Sequence, residues 1–325
     1  MKVNSSNKRN ISFNSFWNSK PLKKGLEFAA KNGTLFAGTT TLFFSTTVRP
    51  LAILTTPKTE KKNKKSAFAK SITSTGIGYL LMLAFSLPLA ISIENIEKNP
   101  AKYLSKKTID NLTEKGKTIK ESKAYSLATQ LFKLGLGFII AAPKAIITAF
   151  CTPHVLNYIN KPNTSKKNDA IETSPSFKGS QPLSKGISKI LNKESLQSFA
   201  KKYKNSNFPM HIVAATDALT TTTFIKQTSK NKKLNNDDKK NLIYNAGIST
   251  SLSIITSYLL DRITKKQTEK IAEKIKKANA NDAKLTEYLE GLKIAKPILI
   301  MAVVYYLFIP IISTFIADKI EQHKK

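Results

Sequence analysis

Residues 71–93, SITSTGIGYLLMLAFSLPLAISI, run for 23 positions without a charged side chain, and residues 297–317, PILIMAVVYYLFIPIISTFIA, do so for 21. A helix rises about 1.5 Å per residue, so about 20 apolar residues cross the hydrocarbon core of a bilayer. Both stretches qualify. Long helices that are apolar on every side belong to membranes far more than to soluble domains. Pro88 and Pro310, near the middles of these stretches, point the same way. An interior proline costs a soluble helix about 3 kcal/mol, whereas in a bilayer neighbouring groups re-satisfy the freed carbonyls. The expectation is an all-α, multi-pass helical membrane protein.

Weaker blocks lie around these two. Leu134–Val155 is interrupted only by Lys144, and Asn241–Leu260 is uncharged but rich in Ser and Thr. Asn32–Val48 closes on Arg49-Pro50, and Phe208–Ile225 contains Asp217. Together they predict two similar three-helix halves with four to six transmembrane segments. The implied division is a basic, aromatic leader at 1–31, a first membrane repeat at 32–157 and a Lys-rich linker with an amphipathic helix at 158–207. A second repeat follows at 208–317 and a basic tail at 318–325. The leader's Trp17, Leu22, Leu26 and Phe28 beside Lys20, Lys23 and Lys24 suit a membrane–water interface.

The halves align weakly. At an offset of 177, Leu42 meets Leu219, Thr46 meets Thr223 and Arg49 meets Lys226. At 175, Lys64-Lys65 meets Lys239-Lys240 and Ser74-Thr75 meets Ser249-Thr250. With six spans, three per half, the second half would enter from the opposite side, the inverted arrangement of many secondary transporters. The basic residues of the connections then divide 24 against 26, which gives no orientation. If Asn32–Val48 and Phe208–Ile225 do not cross, the leader, Arg49, residues 57–70, 158–207, 226–240 and the tail share one face, the division is 33 against 18, and the four-span arrangement gains a slight preference.

The chain of 325 residues carries 53 Lys+Arg against 21 Asp+Glu, a formal net charge of +32. Only three of the bases are arginine, Arg9, Arg49 and Arg262, and such a Lys, Asn and Ile bias is what an AT-rich genome writes. Specific base recognition leans on arginine forks, so nucleic acid is not the expected partner. The remaining phosphate is that of anionic lipid. Leu183, Ile187, Ile190 and Leu191 fall on one helical face among Lys185, Lys189 and Lys193, continued by Lys201, Lys202 and Lys204 beside Phe199 and Tyr203. These six lysines are the candidate lipid-surface residues. Ile263, Ile271, Ile275, Leu285, Leu289 and Leu292 form another stripe, better read as packing on the protein itself.

Ionisable groups inside a bilayer are functional candidates by default. Here they are Arg49, Lys144 and Asp217, and in an inverted six-span arrangement Arg49 and Asp217 would share a depth and pair. Pro88, Pro143 and Pro310 are candidate helix kinks. Gly76, Gly78, Gly135 and Gly137 read as helix-packing contacts. Catalytic signatures are missing: no nucleophile elbow, phosphate loop or H-E-x-x-H occurs, and Cys151, His154 and His211 form no nucleophile–base set. No cofactor or metal is expected. The function read from the residues is a non-enzymatic integral membrane protein, structural or accessory, whose Lys-rich surfaces hold anionic lipid headgroups, a protein partner or a second copy. The alternative is a small-solute or ion transporter or channel built from inverted three-helix repeats. The expected location is the cytoplasmic membrane of a cell with an AT-rich genome.

Overall fold

All regular structure in residues 16–31, 33–160 and 180–323, the part of the computed structural model described here, is helical, and no strand occurs among these residues. Helix α1 (Lys20–Lys31) precedes α2 (Gly33–Phe43), which passes through a π turn, Phe44–Val48, into α3 (Arg49–Leu54). Then come α4 (Lys61–Leu81), a π turn at Met82–Ser86, and α5 (Leu87–Lys98). Two short helices, α6 (Pro100–Tyr103) and α7 (Lys106–Leu112), lead to α8 (Lys123–Asn160). The rest is α9 (Ser180–Leu191), α10 (Glu194–Tyr203), α11 (Phe208–Lys230), α12 (Asn236–Ala278), α13 (Leu285–Val303), a π turn at Val304–Phe308, and α14 (Ile309–Gln322).

Three rods are long and apolar enough to cross a membrane: Lys61–Lys98, Lys123–Asn160 and Leu285–Gln322, each of 38 residues. In their most apolar windows only 17%, 22% and 28% of residues are buried within the protein. Leu80, Ile139 and Phe150 are 65%, 71% and 62% exposed, while Asn63, Ser66, Thr152, Ser313, Thr314 and Asp318 are sealed inside. A water-soluble fold does the reverse. Apolar outside and polar inside is the distribution a hydrocarbon solvent selects.

Three prolines share one device. Each π turn ends two residues before a proline: Val48 before Pro50, Ser86 before Pro88, Phe308 before Pro310. The intervening residue bonds back five positions, Arg49 N–H to Phe44 O, Leu87 to Met82 and Ile309 to Val304. The wider turn moves the backbone away from the carbonyl that the proline ring would strike. Hydroxyls occupy carbonyls around the first turn: Thr46 Oγ1 donates to Leu42 O at 2.7 Å and Thr47 Oγ1 to Phe43 O at 2.5 Å. Of the expected kinks, Pro88 and Pro310 follow π turns, while Pro143 lies within α8 with no π turn beside it. Pro50 carries the device too and was not among the expected kinks.

The direction of each rod follows from its cross-links. Lys65 Nζ reaches Asn160 Oδ1 (3.1 Å), so the start of α4 meets the end of α8 and the two run antiparallel. Lys123 Nζ reaches Asn205 Oδ1 (3.0 Å), and Asn231 Nδ2 reaches Ala149 O (3.1 Å), so α11 runs parallel to α8. Thr221 and Thr250 hydroxyls meet at 2.6 Å, as do His211 Nδ1 and Tyr258 OH, so α12 runs antiparallel to α11. Tyr305 OH donates to Ser253 O and Ser249 Oγ to Ser313 Oγ, so α13–α14 returns along α12. Phe44 stacks on Tyr306, and a Cβ at Gly33 would touch Ile294, so α2–α3 lies parallel to that last rod. The helices that the sequence offsets pair therefore run in the same direction. The inverted arrangement expected for six spans is corrected: α4 and α12 start side by side, joined by Lys62–Asp237 at 3.0 Å and Ser66 Oγ to Asp238 Oδ1 at 2.7 Å.

This geometry sorts the connections. Residues 55–60, Asn160, 231–235 and the end of α14 gather at one end of the bundle. The segments 99–122 and 180–207 gather at the other, with α1 and 279–284. The four-span grouping, which put the leader and 158–207 with residues 57–70, is corrected for α1 and for 180–207. Asn160 and Ser180 flank the connection and lie at opposite ends.

At the second end, Leu104, Leu112, Tyr125, Ile187, Leu191 and Ala200 form one apolar core, and Leu26, Ala29, Ile275, Tyr288 and Leu292 form another. The 271–292 stripe thus packs on the protein itself, as expected. Helix α1 also packs inward, where an interfacial leader was expected; residues 1–15 of that leader, the linker at 161–179 and the tail's Lys324 and Lys325 lie outside the described residues. The rest of the 318–325 tail belongs largely to α14. Of the four glycines read as packing contacts, only Gly78 has a neighbour, and Gly76, Gly135 and Gly137 face open space. The tight approach is elsewhere: a Cβ at Gly291 would lie 2.0 Å from Leu26 O. Gly291→Ala is expected to push α1 off α13 and lower stability by about 1–3 kcal/mol. Gly78→Ala, which meets only the end of Lys144, is expected to be tolerated. Thermal unfolding of the two variants side by side checks this.

Candidate functional site

The polar interior is built from stripes at helical spacing. Asn63, Ser66, Lys70 and Ser74 lie on one face of α4, and Asp238, Asn241, Asn245, Ser249 and Ser253 on one face of α12. Residues three and four apart share a helix face, so each stripe points one way. Toward the first end these stripes lock together. Asp318 accepts from Asn63 Nδ2 (2.7 Å), Glu60 N–H (3.0 Å) and Gln322 Nε2 (2.8 Å), and Asn245 Nδ2 donates to Thr314 Oγ1 (3.1 Å).

Next to this locked layer the stripes open into a cavity of about 300 Å³, to which all six long rods contribute. Arg49 enters from the start of α3, directly after its π turn. Lys70 and Ser74 come from α4, and Lys144 and Thr148 from α8. Helix α11 supplies Asp217, Thr220, Thr221 and Phe224; α12 supplies Ser249, Thr250 and Ser253; the last π turn supplies Tyr305 and Tyr306. Val213, 43% exposed, also lines it, so the mouth reaches the outer surface beside α11.

The three ionisable residues expected inside the membrane thus converge on one site. Their pairing differs from expectation. Among the described residues, no ion pair joins Arg49 to Asp217. Lys144 is the electrostatic neighbour of Asp217, and Arg49 that of both Lys70 and Lys144. Arg49 Nε is buried without a hydrogen-bond partner. Lys70 Nζ lies 4.8 Å from the centre of the Phe224 ring. Gly78 leaves room for Lys144, whose Nζ would sit 3.2 Å from any Cβ there. Lys70 was missed because it stands one residue before an uncharged block and was counted as loop; its place in the Asn63–Ser74 stripe is the signal that finds it.

The six surface lysines divide. Ile187, Leu191 and Ala200 bury the apolar face of α9–α10 against the protein, leaving Leu183 and Ile190 exposed beside Lys185, Lys189 and Lys193. Lys202 is also exposed, and Lys201 donates to Asn111. Lys204 is committed: it pairs with Glu114 at 2.8 Å, and Lys117 pairs with the other carboxylate oxygen at 2.5 Å. Those two bonds hold the Glu114 carboxylate down to about 2. A depressed folded-state pKa stabilises above the ordinary carboxylate range, and that contribution is lost as pH falls through it. Protection from hydrogen exchange at the α7–α10 contact, taken relative to the intrinsic amide rate at each pH, is therefore expected to fall between about pH 4 and pH 2, and Glu114→Gln to remove most of that dependence.

No three acidic, His or Cys side chains gather into a metal site among the described residues. Compared with family models, curated proteins and solved structures, the chain matches none.

Proposed function

We propose that this is a non-enzymatic integral membrane protein of two similar three-helix halves that takes a small polar solute into the cavity between them. The observation that carries this reading is the convergence of Arg49, Lys70, Lys144 and Asp217 on one hydroxyl-lined cavity among helices whose outer faces are apolar. Charged groups in such a setting are costly and mark solute or ion paths. The two-halves reading draws support from the packing: α4 and α12 carry their polar stripes at the 175-residue offset, and Ser74 and Ser249 both line the cavity. Because the halves run in the same sense, the proposal drops the inverted repeat and keeps the solute.

The test is hydration of the cavity. In a Cys151→Ser background, single cysteines at Thr148, Ser249 and Thr250 are expected to react with a membrane-impermeant thiol reagent in reconstituted protein. Cysteines at Ile139 and Phe150, on the apolar exterior, are expected to stay silent. Equal silence at all five positions would mean a dry interior and no solute path.

A second reading, anionic-lipid binding, rests on α9. Ser184 Oγ donates to Ser92 O, which places α9 level with the end of the 71–93 apolar stretch. Exposed Lys185, Lys189 and Lys193 there are at headgroup depth, where each contributes about 1 kcal/mol toward an anionic leaflet. Changing all three to Gln is expected to reduce co-purifying phosphatidylglycerol relative to phosphatidylcholine, as counted by native mass spectrometry.

A further inference from the structure

From the charges in the cavity we infer that its ligand is a small doubly charged oxyanion, a phosphate, sulfate or dicarboxylate group. The inference rests on the solute reading and names its substrate class. Three basic side chains face one carboxyl group, so the lining lacks two negative charges. Buried charge persists where it is paired and hydrogen-bonded. The protein supplies no partner for Arg49 Nε and only an aromatic face for Lys70. A dianion supplies both. An arginine fork and two ammonium groups are the donors phosphate and carboxylate groups prefer. Thr221 and Thr250, which share one hydrogen bond, keep one hydroxyl donor between them for the dianion. A cation is disfavoured by three like charges, and a neutral solute leaves the excess charge in place. The cavity's volume accommodates a tetrahedral oxyanion or a four-carbon dicarboxylate with a few waters.

The mouth at Val213 admits such a group from water or from the headgroup of a lipid, and the experiment separates these sources. The full chain is placed in nanodiscs of pure phosphatidylcholine. Thermal unfolding is followed against potassium phosphate, sulfate and succinate, with chloride and glucose as comparisons. A second arm adds phosphatidate to the disc with no soluble phosphate. The expected result is a concentration-dependent rise in midpoint with at least one dianion or with phosphatidate. Lys70→Gln or Arg49→Gln is expected to weaken it at least tenfold, and Lys70→Arg to retain most of it. A second basic hollow lies near Lys120, Lys123 and Lys204, so Lys120→Gln and Lys123→Gln serve as controls and are expected to change nothing. If Lys70→Gln fails to fold, protection of a Ser74→Cys thiol by phosphate in otherwise native protein gives the same reading.

Three results would overturn the inference. One is dianion binding that survives both cavity changes, and another is binding lost only in the controls. The third is stabilisation by glucose or a cation alone, with dianions no better than chloride. In that last case reactive cavity cysteines would leave the solute reading standing. If no solute acts, silent cysteines sink both readings, and reactive ones sink only the anion.

Discussion

Asp318→Ala is expected to lower stability by about 3–5 kcal/mol, the largest loss of any single change considered. Asp318 is fully buried and collects three donors from three places: the backbone ahead of α4, Asn63 within α4, and Gln322 in its own helix. Alanine removes the acceptor and leaves the buried Asn63 amide and the part-buried Glu60 N–H without that partner. An unmade bond to a buried donor costs about 1–3 kcal/mol, and more than one is unmade here. Asp318→Asn retains an acceptor oxygen and is expected to lose clearly less. Unfolding in mild detergent, followed by circular dichroism, orders the three proteins. If alanine proves as stable as wild type, the layer that closes the cavity at this end is held by something other than this network.

Lys70→Met is expected to do the opposite, raising stability by about 1–3 kcal/mol in anion-free buffer while abolishing phosphate binding. Replacing a half-buried cation that no carboxylate pairs by an apolar side chain of similar length is commonly stabilising. Methionine keeps the contact with Phe224 and ends the repulsion from Arg49. Both quantities come from one titration: the midpoint without phosphate, and its rise with phosphate. A variant that is less stable yet still binds would make Lys70 a structural amine. A stability that a protein could have and does not take is characteristic of residues kept for a ligand.

The membrane-length rods were readable because solvent preference leaves its mark on long windows. Residues 71–93, 134–155 and 297–317 became the cores of the three apolar rods. Arg49, Lys144 and Asp217 were readable as charges in apolar company. Their meeting place was not, because it depends on rod directions that a single chain does not reveal. Arg49 and Asp217 could be matched in depth only by assuming antiparallel halves; the folded bundle brings them to one cavity with α3 and α11 running the same way. Lys70 and the Asn63–Ser74 stripe were obscured by counting charges into loops. The helix starts at Lys61, ten residues before the uncharged stretch, and those ten residues carry the buried polar face. The surface lysines were read from an amphipathic pattern whose apolar face turned out to serve the protein's own core.

The shared direction of α8 and α11 has a consequence for how the chain is made. A translocation machine that stitches successive helices alternately would leave α8 and α11 antiparallel. They are parallel, and the chain between them, residues 161–179, reads KPNTSKKNDAIETSPSFKG. No part of that stretch is apolar enough to serve as a further crossing. Either this polar stretch is carried across the layer as a separate act, or α11, which is not among the three membrane-length rods, slots in from one face after its neighbours are in place. Helix α11 and the helices after it would then mature late, by docking onto a finished α4–α8 hairpin. Synthesis of the chain as two pieces, cut within 161–179, would make that order of assembly directly visible.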